Sequence, residues 1–291
     1  MKFDFIPLEI VLSPLTKQVE LETRKIVSKF DLDYDPELTQ SACSVYPHHD
    51  LESLITANLI HIFLWILDDK HIDSPYLSLD EKFRAIRECL TTVESWRRNE
   101  QVDCSNSSVL SVVKLLDCVL RRDWDGDLRM YVLEQLTDYL LGNIQRLGIG
   151  TVRITSSTQD SIRSSDSGCK VVFPLLLLGQ DTENIKSALR YLRSNQGKLV
   201  QDAANKNISY VNDIVSVKKD KADGCFNYNI VSCLMNDKMI GEEEAISRLK
   251  VQCNDLYRVV TTLNKCQYLE GLATWCVMSA KWHLIARRYN E

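Results

Sequence analysis

Apolar positions recur along most of this chain at the three- and four-residue spacing of a buried helix face. Phe83, Ile86, Leu90 and Val93 form one such stripe behind Ser78-Leu79-Asp80-Glu81, a capping box that starts a helix running to about Arg98. Leu128, Val132, Leu136 and Leu140 form another in a helix over Asp127–Leu147, closed by Gly148-Ile149-Gly150. Further helices are predicted from Ser13-Pro14 to about Phe30 and over Pro36–Val45, Asp50–His71, Ser108–Arg121 and Thr182–Ser194. Lys198–Lys221, Tyr228–Asn236, Gly241–Lys265 and Gln267–Tyr289 complete the set. Residues 1–13 read instead as an extended apolar strap. Between Ser156 and Leu178 the pattern falters: Ser161–Gly168 is polar and poor in helix formers, yet it runs straight into apolar Cys169–Leu178. A break or kink is expected there. With no repeat, low-complexity tract or interdomain linker, the chain reads as one all-α domain spanning residues 1–291.

The helix begun at Asp50 ends unusually. His61-Ile62-Phe63-Leu64-Trp65-Ile66-Leu67 is apolar and aromatic, and Asp68-Asp69-Lys70-His71-Ile72-Asp73 follows, before Ser74-Pro75 stops the helix. Three carboxylates thus fall in a last turn, where the negative pole of the macrodipole disfavours them by ~0.3–1 kcal/mol each. Lys70 and His71 offset part of this. A further positive partner is expected, and a hard divalent cation with oxygen ligands fits.

Composition narrows the class. Scarce Gly (10) and Pro (6) favour long helices over a turn-rich β fold. A net charge of −5 without a basic run speaks against a nucleic-acid surface. The ten Cys are scattered without a CxxC pair, as small hydrophobes in a reduced, intracellular protein would be. Met1-Lys2-Phe3-Asp4-Phe5 lacks a signal-peptide h-region, and the longest apolar run, Val171 to Leu178, is too short to span a membrane. A cytoplasmic protein is expected.

A second polar stripe lies far down the chain. In Tyr210-Val211-Asn212-Asp213-Ile214-Val215-Ser216-Val217-Lys218-Lys219-Asp220, the side chains of Asn212, Ser216 and Asp220 share one helix face over two turns. An amide oxygen, a hydroxyl and a carboxylate suit Mg²⁺, which keeps waters and takes phosphate oxygens as its remaining ligands.

DDxxxD on one helix with NDxxSxxKD later resembles the paired metal motifs of the microbial-type class I terpene synthases. The resemblance extends through Gly224–Val231, Glu243-Glu244-Ala245 and the terminal Trp282–Tyr289, which is similar to the family's W-x5-RY signature. It implies an all-α bundle around a deep apolar cavity. Three Mg²⁺ ions and basic side chains would hold an isoprenyl diphosphate at the mouth, and an allylic carbocation would cyclise inside.

Residue by residue, the resemblance makes Asp68 the aspartate that ligates two metals and Asp69 its hydrogen-bonding neighbour. Ile72 occupies the place of the usual last carboxylate. Asp73 stands one helical turn after Asp69, which leaves its contact with metal open. Asn212, Ser216 and Asp220 match the ligands of another metal, with Asp220 where Glu is usual. Lys219, Arg288 and Tyr289 match diphosphate contacts. Arg163, Asp166 and Ser167 resemble the family's sensor, linker and effector, with Gly168 the alternative effector. Leu64, Trp65, Phe173 and Trp282 are expected on the cavity wall.

A prenyl-chain elongase would carry two DDxxD-type motifs, and Asn212 and Ser216 argue against that. A non-catalytic isoprenoid-binding helical protein would not need both metal motifs. Farnesyl diphosphate is the favoured substrate, geranylgeranyl diphosphate second and geranyl diphosphate third. The protein is expected to be a monomer or homodimer.

Overall fold

A computed structural model of the chain describes residues 3–4, 11–100, 110–150, 152–262 and 267–286. Among these, thirteen α-helices and no strand are found. Asp50 caps α3 (Leu51–Ile66) by accepting the Ser53 N–H at 2.8 Å. That helix is buried nearly all round, behind α1 (Thr16–Val27) and α2 (Pro36–Val45). Asn58 pins the three together, its amide donating to Thr23 and Thr39 hydroxyls at 3.0 Å each. Leu51–Ile72 is long and apolar enough to cross a membrane, but 78% of its apolar 18-residue window is buried within the protein. It is the central helix of the bundle.

The capping box closes as expected at α4 (Leu79–Arg97), with Glu81 N–H on Ser78 Oγ and Ser78 N–H on Glu81 Oε2. α5 (Leu110–Leu120) and α6 (Gly126–Ile149) follow. The irregular region is α7 (Ser156–Asp166), a break at Ser167–Gly168, a single turn α8 (Cys169–Val172) and a 3₁₀ turn over Phe173–Leu177. Gly168 takes φ of 72°, a left-handed value that glycine adopts without a Cβ clash. The long α10 (Asn195–Ala222) packs on α9 (Thr182–Arg193), α11 (Ile230–Lys238), α12 (Glu242–Thr262) and α13 (Gln267–Ile285). Of the strap, Phe3 is buried among Val211, Ile214 and their neighbours, and residues 5–10 lie outside the described residues. The described free thiols of Cys43, Cys89, Cys169, Cys233, Cys253 and Cys276 are buried, consistent with their use as small hydrophobes.

The Asp-rich end of α3 departs from expectation. Leu67–Ile72 is a π turn rather than a last α turn, closed by Asp73 N–H on the Asp68 carbonyl at 2.7 Å. An i→i+5 bond absorbs one extra residue per turn. Asp73 therefore stacks over Asp68, not over Asp69.

Candidate active site

A cavity of about 540 Å³ opens between α3, α6, α7, α10 and α13. Its mouth is charged and its inner wall apolar. Asp68 and Asp73 reach the mouth from the π turn, and one guanidinium serves both. Arg146 Nη2 lies 2.7 Å from Asp73 Oδ1 and 3.3 Å from Asp68 Oδ1, and its Nε is 3.5 Å from Asp166 Oδ2. The positive partner predicted for the acidic turn is thus present within the chain. Sequence reading missed it, although Tyr139, Gly142 and Arg146 share one stripe of α6. Asp69 is not brought to the cavity. One residue round the helix from Asp68, it is exposed and lines a smaller depression of about 190 Å³ with Lys70 and Asp35.

The second donor set is assembled as its spacing implied. Asn212, Ser216 and Asp220 all line the cavity from α10. Ser216 Oγ donates to Asp220 Oδ2 at 2.7 Å, and Asn229 Nδ2 donates to the same oxygen at 2.8 Å. These bonds hold the short Asp220 arm toward the site. Arg163 from α7 donates to Asn212 Oδ1 and Asp213 Oδ1, each at 3.1 Å. Asp213, whose role spacing alone did not reveal, is a buried clamp that also accepts Ile230 N–H at 2.9 Å and Gln159 Nε2 at 3.2 Å. Lys219 lines the mouth and pairs with Asp223 at 3.0 Å. Arg288 and Tyr289 lie outside the described residues.

Between the two sets stands Asp166, fully buried at its side chain. It meets Arg146 on one oxygen and faces Arg163 Nη1 at 3.8 Å on the other, and Tyr228 donates its hydroxyl to it at 2.9 Å. Asp68/Asp73–Arg146–Asp166–Arg163–Asp213 is one continuous chain of ion pairs, with Asn212 hydrogen-bonded to its far end. Burial raises the Asp68 carboxyl, and the neighbouring charge of Asp73 adds to it. Burial likewise pushes Asp213 up to about 6, against the pull of Arg163. For Arg146, burial opposes the charge, but Asp73, Asp68 and Asp166 outweigh it and keep the guanidinium protonated.

Two devices place Asp166. Gly142 on α6 lets α7 approach so closely that a Cβ there would stand 2.7 Å from Ser165 Cβ and 2.8 Å from Asp166 N. Asn205 on α10 accepts Ser167 Oγ–H at 2.6 Å and donates to the Ser164 carbonyl at 3.2 Å, which anchors the helix break. Deeper in, Leu64, Trp65 and Trp282 line the wall as expected, with Trp65 and Trp282 in an edge contact at 5.4 Å. Phe173 does not line the cavity. It points from the 3₁₀ turn into the core, fully buried against Trp275, and Trp275 is the ring that faces the cavity.

The donors at the mouth are carboxylate, amide and hydroxyl oxygens. Such hard ligands fit Mg²⁺, with Asp68 and Asp73 on one side and Asn212, Ser216 and Asp220 on the other. Among the described residues, no three His, Cys, Asp or Glu side chains make a metal cluster by themselves. Mg²⁺ generally keeps several waters and takes phosphate oxygens beside a few protein ligands.

Fold and site together define the class I terpene synthase architecture. The linalool/nerolidol synthase of Streptomyces clavuligerus, in complex with 2-fluorogeranyl diphosphate, superposes with a TM-score of 0.78 at 16% identity, covering 99% of this chain and all of that one. An α-eudesmol synthase gives a TM-score of 0.74 at 14% identity, covering 98% and 99% of the two chains. Residues 60–258 match the family described as terpene synthase family 2, C-terminal metal binding. The chain belongs to that family. Sesquiterpene synthase 3 of Postia placenta is 26% identical over 147 residues, which span 45% of this chain and 39% of that protein.

Proposed function

We propose that this protein is a Mg²⁺-dependent class I terpene synthase that ionises an isoprenyl diphosphate and cyclises the carbocation to a hydrocarbon or alcohol. The observation that carries this reading is the pairing of two oxygen-donor sets, joined by the Arg146–Asp166–Arg163 chain, at the mouth of an apolar, Trp-lined cavity. Bound divalent cations, three by family resemblance, would neutralise the diphosphate and stabilise it as a leaving group. Arg163 and Lys219 face the place where that anion would sit, and Arg288 and Tyr289 are assigned to it by resemblance. We assign the substrate-facing carbonyl of the helix break to Ser167, because the Gly168 carbonyl already accepts Val171 and Val172 N–H at 3.0 and 3.4 Å. Trp65, Trp275 and Trp282 present ring surface to the interior, where a cation gains from the negative face of an aromatic ring.

Farnesyl diphosphate is the favoured substrate, in line with the sesquiterpene synthase relative, and geranylgeranyl diphosphate is second. The working assignment is one cytoplasmic domain acting as monomer or homodimer. Chain elongation is disfavoured by the Asn212 and Ser216 donors at the second site. The test is incubation of purified protein with geranyl, farnesyl and geranylgeranyl diphosphates, with and without Mg²⁺, and mass-spectrometric analysis of the extract. A cyclic product that needs Mg²⁺ supports the proposal. Longer prenyl diphosphates on addition of isopentenyl diphosphate, or no product from a folded protein, would overturn it.

A further inference from the structure

One cavity-lining group has no part in ionisation. His61 sits on α3 seven residues before Asp68, so the two share a face, with His61 roughly 10 Å deeper along the helix axis. Leu64 and Trp65 lie between them on the same stripe. A tail anchored at Asp68 would pass both before reaching His61.

The contacts around His61 favour one tautomer. Tyr46 Oη is 2.7 Å from the Val172 carbonyl, which can only accept, so the single phenolic proton is committed there. The 3.4 Å contact between Tyr46 Oη and His61 Nε2 then has Nε2–H as donor. In a neutral ring, that leaves the lone pair on Nδ1. Neutrality is favoured: burial lowers the imidazole to about 3, and no charged neighbour contributes. The rings of Trp275 and Tyr46 surround it at 5.4 and 5.8 Å. His283 also lines the cavity, but its Nδ1 is 3.4 Å from Ser279 Oγ, whose proton can fill that lone pair.

We propose that His61 is a catalytic residue: its Nδ1 takes the proton that terminates the carbocation, given the terpene synthase reading above. The C–H bond beside the cationic carbon breaks and its electron pair becomes the C=C bond of the product. The proton bonds to Nδ1, and the resulting imidazolium lies against the Trp275 and Tyr46 rings. As product leaves and water enters, the imidazolium returns its proton to solvent.

The experiment measures alkene formed per diphosphate released, for wild type, His61→Ala and Tyr46→Phe, with farnesyl diphosphate and Mg²⁺. Tyr46 is buried behind the wall, so its variant frees the tautomer without reshaping the cavity. The wild-type alkene per diphosphate should fall about tenfold or more in His61→Ala, with diversion to alcohols or earlier alkenes. Imidazole should restore it and pyrazole, a ring of the same shape and much weaker basicity, should not. Tyr46→Phe should shift products the same way by a smaller factor, and it decides the matter if His61→Ala does not fold. An unchanged profile in the folded variants, equal rescue by both azoles, or a wild type that makes only alcohol would overturn the role of His61. No diphosphate release from wild type would instead overturn the terpene synthase reading itself.

Discussion

Asp166 holds two guanidinium groups in place from a position without side-chain exposure. Arg146 is the more consequential of the two, because it bonds the Asp68 and Asp73 carboxylates that are proposed to bind metal. Removing it would leave three carboxylates facing one another. For Arg146→Gln we expect a loss of about 2 kcal/mol, below the full cost of breaking a buried pair because Asp68 and Asp73 are 34% and 44% exposed. Calorimetry should show a lower Tm that Mg²⁺ raises more in the variant than in wild type. An unchanged Tm would show the ion chain to be structurally idle. Little of this was legible beforehand. Spacing put Asn212, Ser216 and Asp220 on one helix face and the acidic helix end marked Asp68, whereas Arg146 contributes to no local motif and gains its role from a contact 78 residues away.

At the scale of elements, the π turn and the α6–α7 approach decide where the acids point. The Ser-rich, Gly-containing stretch announced its helix break, because glycine and serine weaken a helix wherever they fall. The π turn gave no such sign. Apolar periodicity reports on buried faces, and a single wide turn at a helix end leaves that periodicity intact. Regular helical spacing therefore puts Asp73 one turn after Asp69, whereas it stands over Asp68. Gly142→Ala should push α7 away from α6 at a cost of about 1–3 kcal/mol and move Asp166 off its arginines. The expected signature is a lowered Tm with a steeper loss of turnover; wild-type turnover would contradict it. Across α3 and α13, the Trp65–Trp282 pair borders both the cavity and the smaller depression behind it. Trp65→Ala should join the two spaces and alter the product distribution more than the Mg²⁺ requirement, as read by gas chromatography–mass spectrometry. An identical product profile would remove Trp65 from the wall.

Over the whole molecule, scarce Gly and Pro and long apolar stripes made the helical bundle readable, since each helix buries a face whose spacing is written locally. Which aromatic residues face the cavity was less readable, because the periodicity that buries Phe173 in the core is the same that sets Trp282 on the wall. The bundle brings two motifs that begin 144 residues apart, at Asp68 and Asn212, to one mouth, and that convergence is the central claim. Its most direct test is diphosphate release from farnesyl diphosphate as a function of Mg²⁺, in wild type, Asp68→Ala and Asn212→Ala, with helicity checked by circular dichroism. The account predicts Mg²⁺-dependent release in wild type and a fall of about 100-fold or more in each folded variant. Release at the wild-type rate in either variant would contradict it.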